Sequence, residues 1–585
     1  MALSFEYNTS CGLLRFALFY LLVQALAVAG FTLKPPKDDP DYLIVGGGPA
    51  GLVIAEELTR NPYVRVVLLE AGPDPSLDPA VTTPAKFFDA YPYFWNFTSA
   101  PDPGLNGRTP GLTQGRALGG GSAVNVMVYC RGAPSLFDEW AHISENPGLS
   151  WNSMLGAFKA TTHFQEDAHP EDQTPVNKTS FGNGPLELTT QRFQLGFDRP
   201  FVDKLSSVFD LPEIDFCSGD GIGVAELVST IRADNRTRSY AWNTFGWLAA
   251  SRPNFEVRHH AWVSKIGFHR KTANHVTYND TLTDTMHTMK AREIIVAAGA
   301  IGSPQLLMLS GIGPADQLKS LGIPVVVDAP QVGQNLADHH FAQLVYQTLP
   351  AMGTSWQWRF NSTAAQKARE EYTANGAGLL GAPNGNVFAA LRLPDTVFDG
   401  VGSYHTSLPA DRPHFIYEYT TAPFQARFAH TTTITPFAAL VQPEARGNVT
   451  LASADYRDQP VINSAYWATP ADKAAMLYAY KQLRAIHTSP ELRPWVPIEL
   501  FPGANVTSDE GLWAAIQESS RSFHHPVGTV AIGSVLDANW RVRGVDGLRV
   551  VGTPAAPSII TCHTQGTAYA LGYRAARDII AADGV

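Results

Sequence analysis

One short stretch predicts the fold of this chain: Asp41-Tyr42-Leu43-Ile44-Val45-Gly46-Gly47-Gly48-Pro49-Ala50-Gly51. It begins with an apolar run of strand length and continues into a turn that is rich in glycine. Behind the turn, Leu52, Ala55 and Leu58 recur at helical spacing. The stretch therefore predicts a buried strand, a tight turn and a helix, which is how a parallel α/β sheet begins.

The spacing of the glycines predicts a binding function for this turn. Gly46 permits a tight bend, Gly48 lets a pyrophosphate approach the backbone, and Gly51 lets the helix pack closely on the strand. The free N–H groups at the start of the helix, around Pro49 and Ala50, would hold the phosphates. An ordinary βα turn rich in glycine is the alternative interpretation.

A second apolar run, Val64 to Leu69, ends at Glu70, 19 residues after Gly51. An acidic side chain at this point accepts hydrogen bonds from the ribose hydroxyls of a bound dinucleotide. Because strand, helix, second strand and acid follow in order, the sequence predicts a dinucleotide site. The motif by itself does not distinguish FAD from NAD.

Two later segments complete the predicted nucleotide-binding sheet. Glu293 to Ala298 predicts a strand, and a turn rich in glycine follows it. Ser303 is predicted to cap the next helix, with Pro304 at its first position. Leu548 to Val551 predicts a last strand, and Gln565 to Ala582 predicts a C-terminal helix with one apolar stripe.

The sequence thus predicts an α/β protein with a discontinuous Rossmann-like domain and a second, α+β domain that carries a sheet. The intervening blocks are rich in aromatic residues and proline, which suits a domain that covers a cofactor. The predicted nucleotide-binding parts are residues 38–139, 226–330 and 521–585. The predicted substrate-binding parts are residues 140–225 and 331–520.

Composition excludes several other classes of protein. The chain has 585 residues, of which 45% are hydrophobic and 16% charged, so a large core is possible and a fibrous protein is excluded. The net charge of −10 gives no sign of a nucleic-acid partner. Of the four cysteines, Cys130, Cys217 and Cys562 follow the N-terminal segment and allow at most one disulfide. No Cys/His spacing predicts a metal site.

The N-terminus predicts entry into the secretory pathway. Phe16 to Leu33 is an uncharged, mostly apolar run, and Ala27-Val28-Ala29 fits a cleavage site, so residues 1–29 are predicted to be a signal peptide. An uncleaved signal anchor is the alternative; otherwise we expect no membrane anchor. N-glycosylation sequons begin at Asn96, Asn177, Asn235, Asn279, Asn361, Asn448 and Asn505.

Several long motifs resemble those of the glucose–methanol–choline oxidoreductase family. Gly115 to Asn125 resembles the first family signature and Gly299 to Gly313 the second. Thr237-Arg238-Ser239 is also similar to a family segment. Near the end, Phe523 to Thr529 and His563 to Gly566 resemble the catalytic segments. The resemblance covers nearly the whole chain after Asp41, and its nearest branches are aryl-alcohol oxidases, choline dehydrogenases and fungal enzymes of secondary metabolism such as patulin synthase.

The resemblance implies FAD, two domains and the oxidation of a small alcohol, with oxygen or another electron acceptor. In covalent flavoproteins of the family, a histidine stands where this chain has Val124, so the flavin is expected to be non-covalent. The backbone of Asn125 to Val128 is expected beside the flavin ring. The other cofactor contacts that the resemblance implies are Ala71, Ser122, Val263, Thr564, Gln565 and Gly566.

The resemblance also assigns two catalytic histidines. His525 matches the family base, which accepts the hydroxyl proton, and a neutral imidazole suits this role near neutral pH. His563 matches the residue that hydrogen-bonds the substrate oxygen. His524 is expected at the substrate entrance. The other histidine pairs, His259-His260 and His339-His340, are interpreted as structural.

Two functional alternatives follow from the same scaffold. The leading hypothesis is a FAD-dependent oxidase or dehydrogenase that converts a primary alcohol, either aromatic or belonging to secondary metabolism, to an aldehyde or a product derived from it. The other is a lyase or cyclase that contains FAD but catalyses no net redox reaction. The sequence leaves the substrate and the oligomeric state open.

Overall fold

A computed structural model describes residues 39–167, 176–192, 195–349, 352, 354–383, 385 and 387–585. The side chains of residues 355 and 356 are not described. The predicted signal peptide, residues 1–29, lies outside the described residues. Within the described ranges, no helix has both the length and the apolar character that a membrane span requires.

The elements that position the site are helices of eight or more residues and the strands of three sheets. In the described part of the chain the helices are α1 Pro49–Thr59, α2 Pro134–Ser144, α3 Trp151–Thr161, α4 Asp198–Phe209, α5 Gly299–Leu309, α6 Ser362–Asn375, α7 Pro470–His487, α8 Asp509–Ser519 and α9 Gln565–Asp583. The strands are β1 Tyr42–Val45, β2 Val66–Leu69, β3 Gly223–Glu226, β4 Phe255–Arg258, β5 Ala261–His269, β6 Thr272–Asp280, β7 Thr285–Lys290, β8 Glu293–Val296, β9 His340–Gln343, β10 Val345–Gln347, β11 Val387–Leu391, β12 Phe415–Thr420, β13 Thr433–Leu440, β14 Ile498–Phe501, β15 Arg521–Ser522 and β16 Leu548–Val550.

The first sheet has five parallel strands in the order β16-β8-β1-β2-β4. Every residue of β1 and β2 is buried, because helices α1 and α9 pack together beside the sheet and the antiparallel sheet β7-β6-β5 contacts β8. Parallel strands buried on both faces are apolar throughout, which explains the sequence pattern. A Cβ added at Gly572 would lie 2.8 Å from the Cα of Ala50, so α9 and α1 can approach this closely only with glycine there.

Helix α5 begins earlier than the sequence predicts. It starts at Gly299, so Pro304 lies inside it and Ser303 is a buried helical residue rather than a cap. Proline has no N–H to donate to the carbonyl of residue 300. The hydroxyl of Thr529 donates to that carbonyl instead, at 2.7 Å. The side chain of Thr529, 225 residues after Pro304, thus supplies the hydrogen bond that this internal proline removes.

The second large sheet has eight strands. Six of them run in the order β14-β10-β13-β12-β11-β3, with β9 pairing with β13 and β15 pairing with β9. Paired residues Gln343, Phe437, Glu418 and Phe388 share one face of the sheet. Because side chains alternate along a strand, Phe341 also belongs to this face. The opposite face packs on α7 and carries a separate hydrophobic core.

Cys130 and Cys562 form a disulfide, with their Cα atoms 6.2 Å apart, and Cys217 is a buried free thiol. The sequence allowed one disulfide without identifying the pair. The bridge joins the segment after Val128 to the residue that precedes His563. It therefore connects the predicted flavin-binding segment with a predicted catalytic residue.

Candidate active site

A cavity of about 750 Å³ extends from the carboxyl ends of β1, β2 and β8 to the eight-stranded sheet. Val45, Leu69 and Ala297 line it where these three strands end. The carboxyl ends of parallel strands are where α/β proteins bind their ligands, because the first turns of the helices open there. The position of the cavity therefore follows from the topology of the first sheet.

Three helix N-termini face this cavity. Pro49 and Ala50 begin α1, Gly299 and Ala300 begin α5, and Gln565 begins α9, and all five residues line the cavity. Unpaired N–H groups at a helix N-terminus favour negative charge. The cavity is thus suited to a ligand with several anionic or electron-rich groups spread along its length.

Most residues of the predicted cofactor site line the cavity, but two do not. The lining residues are Gly46, Gly48, Pro49, Ala50, Glu70, Ala71, Ser122, Asn125, Val126, Met127, Val128, Val263, Thr564 and Gln565. A Cβ on Gly51 would lie 2.2 Å from the carbonyl oxygen of Gly46, so Gly51 allows close packing of helix on strand. Gly566 packs in the same way on the carbonyl of Cys130. Beside Gly48 the nearest atom to an added Cβ is 4.0 Å away, which leaves room for a ligand.

Glu70 is held by the backbone of two glycine turns. Its carboxylate accepts hydrogen bonds from the N–H groups of Gly47 at 2.7 Å and Gly72 at 2.8 Å. Burial raises the pKa of Glu70 to about 7. Each carboxylate oxygen has a second lone pair, so Glu70 can still accept a hydrogen bond from a ribose hydroxyl.

Arg238 shapes the segment that is predicted to run beside the flavin. The guanidinium is fully buried and donates to the carbonyl oxygen and the side-chain Oδ1 of Asn125, both at 2.8 Å. The same Oδ1 accepts from the N–H of Met127 at 3.0 Å, and Met127 has a φ of +65°. These bonds fix the path of the backbone from Asn125 to Met127.

The two predicted catalytic histidines come together at the far end of the cavity. The ring centroids of His525 and His563 are 5.0 Å apart, although 38 residues separate them in the sequence. The ring of Phe523 contacts both, with centroid distances of 4.9 Å and 5.0 Å. Two imidazoles side by side at the wall of a cavity can act together on one oxygen atom of a ligand.

A third histidine, His339, determines the hydrogen position on His525. The Nε2 of His339 lies 2.8 Å from the carbonyl of Ile560, which can only accept, so Nε2 carries the hydrogen. Burial lowers the pKa of His339 to about 3, so its Nδ1 is bare. This Nδ1 lies 2.9 Å from Nδ1 of His525. His525 must therefore donate from Nδ1.

The Nε2 of His525 is consequently left without a hydrogen. Burial, and then the neighbouring histidines His563, His339 and His524, lower the pKa of His525 well below its usual value. A neutral imidazole with a bare Nε2 has the form that a general base requires. The sequence interpreted His339 as structural, and the structure adds that this residue directly contacts the predicted base, His525.

The backbone around His525 is held by the neighbour of His339. The buried carboxylate of Asp338 accepts from the N–H of His525 at 2.9 Å and from the hydroxyl of Ser522. The Ser522 oxygen in turn accepts from the N–H of His524 at 2.8 Å. Burial raises the pKa of Asp338 to about 7. Asp338 and His339 therefore orient the main chain and the side chain of His525, respectively.

Glu418 of β12 holds His563. The Nε2 of His563 lies 2.6 Å from Oε1 of Glu418, and both side chains are largely buried. Since a carboxylate only accepts, His563 donates from Nε2. The sequence did not single out Glu418, which is 145 residues from His563 and has no motif around it.

Aromatic side chains and His524 complete the cavity wall. Phe341 and Phe437 come from the eight-stranded sheet, Phe424 comes from a loop, Phe88 comes from the 3-10 helix Pro84–Asp89, and all line the cavity. The side chain of His524 opens onto the cavity, and its Nδ1 lies 3.4 Å from the hydroxyl of Thr113. Burial in the wall, and then Arg521, lower the pKa of His524 to about 4, so this imidazole is neutral near pH 7.

Comparison with known proteins identifies the family. The profile of GMC oxidoreductases matches residues 40–341 with its N-terminal part and residues 443–572 with its C-terminal part. The chain belongs to the glucose–methanol–choline oxidoreductase family. It is similar to dehydrogenase pkfF of Emericella nidulans (32% identity over 90% of this chain and 91% of the relative) and to patulin synthase of Aspergillus clavatus (31% identity, 93% and 92%).

Solved structures agree with this assignment. A FAD-dependent oxidoreductase from Chaetomium thermophilum superposes with a TM-score of 0.84 at 28% identity, covering 94% of this chain and all of that one. The chain is thus a FAD-dependent oxidoreductase of the alcohol oxidase and dehydrogenase type. Its own residues fit FAD, because three helix N-termini and the open space beside Gly48 meet the demands of a long, phosphate-containing ligand.

Proposed function

We propose that this enzyme oxidises a primary alcohol, with His525 as the base. The observation that supports the role of His525 is its hydrogen bond to His339, which leaves Nε2 bare and directed away from the Nδ1 contact. FAD, when bound, supplies the acceptor for the hydride that leaves the alcohol carbon. His525 accepts the hydroxyl proton at Nε2, and the alcohol becomes an aldehyde.

His563 is proposed to bind the substrate oxygen as a hydrogen-bond donor. Its Nε2–H is used by Glu418, so the donation to the substrate would come from Nδ1. An imidazole with hydrogens on both nitrogens carries a positive charge, and the Glu418 carboxylate would stabilise that charge. His563 would then stabilise negative charge that develops on the substrate oxygen as its proton moves to His525.

The lining of the cavity favours an aromatic substrate. Phe341, Phe424, Phe437 and Phe523 surround the approach to the two histidines. Their rings contact one another, with centroids 5.0–6.5 Å apart in tilted and edge-on arrangements, and form an aromatic wall against which a further ring can pack. We therefore propose an aryl alcohol as the substrate class.

Anaerobic reduction of the flavin tests this proposal. The yellow holoenzyme is mixed with a panel of benzylic and aliphatic primary alcohols without oxygen, and loss of flavin absorbance indicates oxidation of the alcohol. His525→Ala should remain folded and yellow but be reduced ~10²–10⁴-fold more slowly. His524→Ala, one residue away, should change mainly the apparent affinity. A holoenzyme that stays yellow with every alcohol contradicts the proposal and favours a lyase or cyclase.

Non-covalent binding of FAD is part of the same proposal. Val124, which lines the cavity, has no nucleophilic atom that could bond to a flavin. Acid precipitation should therefore release the yellow chromophore into the supernatant. Chromophore that stays with the precipitated protein contradicts this.

We further propose that the protein passes through the secretory pathway and is N-glycosylated. The predicted signal peptide and the sequons motivate this, and the Cys130–Cys562 disulfide supports it, because disulfides persist in oxidising compartments. Asn177, Asn235, Asn361 and Asn505 are exposed, as N-glycosylation requires. N-terminal sequencing of the natural protein should begin near Gly30. A Met1 terminus with no glycan contradicts the proposal.

A further inference from the structure

Arg521 places a positive charge in the wall of the substrate end of the cavity. It lies on β15 directly opposite Phe341 of β9, so the two side chains share the cavity face of the sheet. The residue is half-buried. Phe523 follows Arg521 by two residues of extended chain, so their Cα atoms lie ~7 Å apart. Phe523 in turn contacts both catalytic histidines.

This guanidinium has no acidic partner among the described residues. Its hydrogen bond within the described part of the chain goes to the carbonyl of Phe424, at 2.9 Å, and its Nε has no acceptor there. Burial, and then a second cation, Arg108, lower the pKa of Arg521, and Arg108 is itself bonded to the carbonyls of Gln517 and Ser520. Arg108 thus adds positive charge near Arg521, and neither arginine is paired with a carboxylate in the described part of the chain.

Two acidic groups near the catalytic histidines are engaged with other partners. Glu418 is engaged with His563, and Asp338 with Ser522 and the His525 backbone. His524 lies beside it and is neutral. The protein as a whole carries a net charge of −10, so an unpaired arginine in its cavity is a local exception. A half-buried guanidinium without an acidic partner is energetically unfavourable, and an anionic ligand would relieve this cost.

We propose that Arg521 binds a carboxylate of the substrate, so that the enzyme takes an aromatic alcohol with an acidic substituent. This inference rests on the proposed function and specifies the substrate class. The reacting carbon lies at His525 and His563, the ring packs on Phe341 and Phe523, and the carboxylate meets Arg521 beyond them. Guanidinium and carboxylate match as planar, bidentate partners.

The probes are 3- and 4-(hydroxymethyl)benzoate, their methyl esters and benzyl alcohol. The parent enzyme should have a lower KM for at least one acid than for its ester. Arg521→Gln keeps a donor for the Phe424 carbonyl but removes the charge, and should raise KM for that acid roughly 10- to 100-fold while the ester changes less than about threefold. Arg521→Lys should give an intermediate KM. Arg427→Gln is the matched control, because Arg427 is exposed and paired with Glu518, and it should behave as the parent.

Benzoate, which cannot be oxidised, separates this inference from the proposed function. Its Kd is measured from the shift of the flavin spectrum, and should rise in Arg521→Gln to the same degree as KM for the acid. Benzoate binding that depends on Arg521, in an enzyme that no alcohol reduces, would refute the proposed function but support the anion site. Equal effects of Arg521→Gln on acid and ester would mean that Arg521 only holds Phe424, and would overturn the inference. If Arg521→Gln lost its flavin, two other measurements would test the inference. They are the parent's KM for the acid relative to its KM for the ester, and the Kd of Arg521→Lys for benzoate.

Discussion

The Nδ1 atoms of His339 and His525 lie 2.9 Å apart, and one of them must donate to the other. The ring hydrogen of His339 lies on Nε2 and is donated to the Ile560 carbonyl, so His525 donates to Nδ1 of His339. Replacement of His339 by Phe removes the acceptor and lets the His525 ring carry its hydrogen on either nitrogen. We expect anaerobic flavin reduction by benzyl alcohol to slow ~10- to 100-fold, since only part of the population keeps Nε2 bare.

His340→Phe is the matched control for this prediction. His340 is the next residue and is equally buried, but it stacks on Tyr466 with ring centroids 3.7 Å apart and does not contact His525. Phenylalanine preserves that stacking, so the rate of flavin reduction should stay near that of the parent. Equal losses in both variants would assign the effect to packing rather than to the position of the hydrogen.

Glu418→Gln tests the partner of His563. The amide oxygen can still accept from Nε2, so the ring orientation is retained while the negative charge is lost. Because charge-assisted hydrogen bonds are about twice as strong as neutral ones, we expect flavin reduction to slow by about tenfold or more. Glu499→Gln removes another buried carboxylate of the same sheet, paired with Arg484 outside the cavity, and should leave the rate unchanged. A normal rate in Glu418→Gln would show that the charge has no part in catalysis.

The pH dependence of reduction should report the lowered pKa of His525. As the proposed base, His525 acts when neutral, and because burial lowers its pKa well below 6.5, it is still neutral at pH 6.5. Reduction by alcohol measured by stopped flow should therefore be flat from pH 8 through 6.5 and fall only at more acidic pH. A half-maximal rate near pH 6.5, with circular dichroism unchanged, would show an unperturbed histidine instead.

The sequence predicts the parallel sheet well and the surroundings of the histidines poorly, for a physical reason. The glycine turn and the apolar strands β1 and β2 are local patterns that fix local structure. His339 and Glu418 act through contacts with residues 186 and 145 positions away, which only the assembled eight-stranded sheet creates. The early start of α5 was not predicted for the same reason. The hydroxyl that replaces the hydrogen bond lost at Pro304 belongs to Thr529, which is distant in the sequence.

Loss of the Cys130–Cys562 disulfide should reduce stability. The bridge closes a loop of 432 residues, and a long loop removes much conformational entropy from the unfolded chain. The Cys130→Ser/Cys562→Ser variant should lose roughly 2–4 kcal/mol in denaturant unfolding. Cys217→Ala leaves the bridge intact and changes a buried free thiol by a small volume, so it should be affected less. Equal stability of the double variant and the parent would contradict a structural bridge.

Among the sequons, Asn279 should carry no glycan. Its side-chain NH₂ donates one hydrogen to Asp284 at 2.9 Å and the other to the hydroxyl of Tyr456 at 3.0 Å, and the residue is 6% exposed. A glycan on that nitrogen would break both bonds and could not fit between β6 and Tyr456. Glycopeptide mass spectrometry of protein secreted from a eukaryotic host should find glycans at Asn177, Asn235 and related exposed sites but an unmodified Asn279. Asn279→Gln removes the sequon and should leave the glycan mass unchanged, whereas Asn235→Gln should lower it by one glycan. A glycan at Asn279 would require that modification precedes the folding of this hairpin and displaces Tyr456 from it.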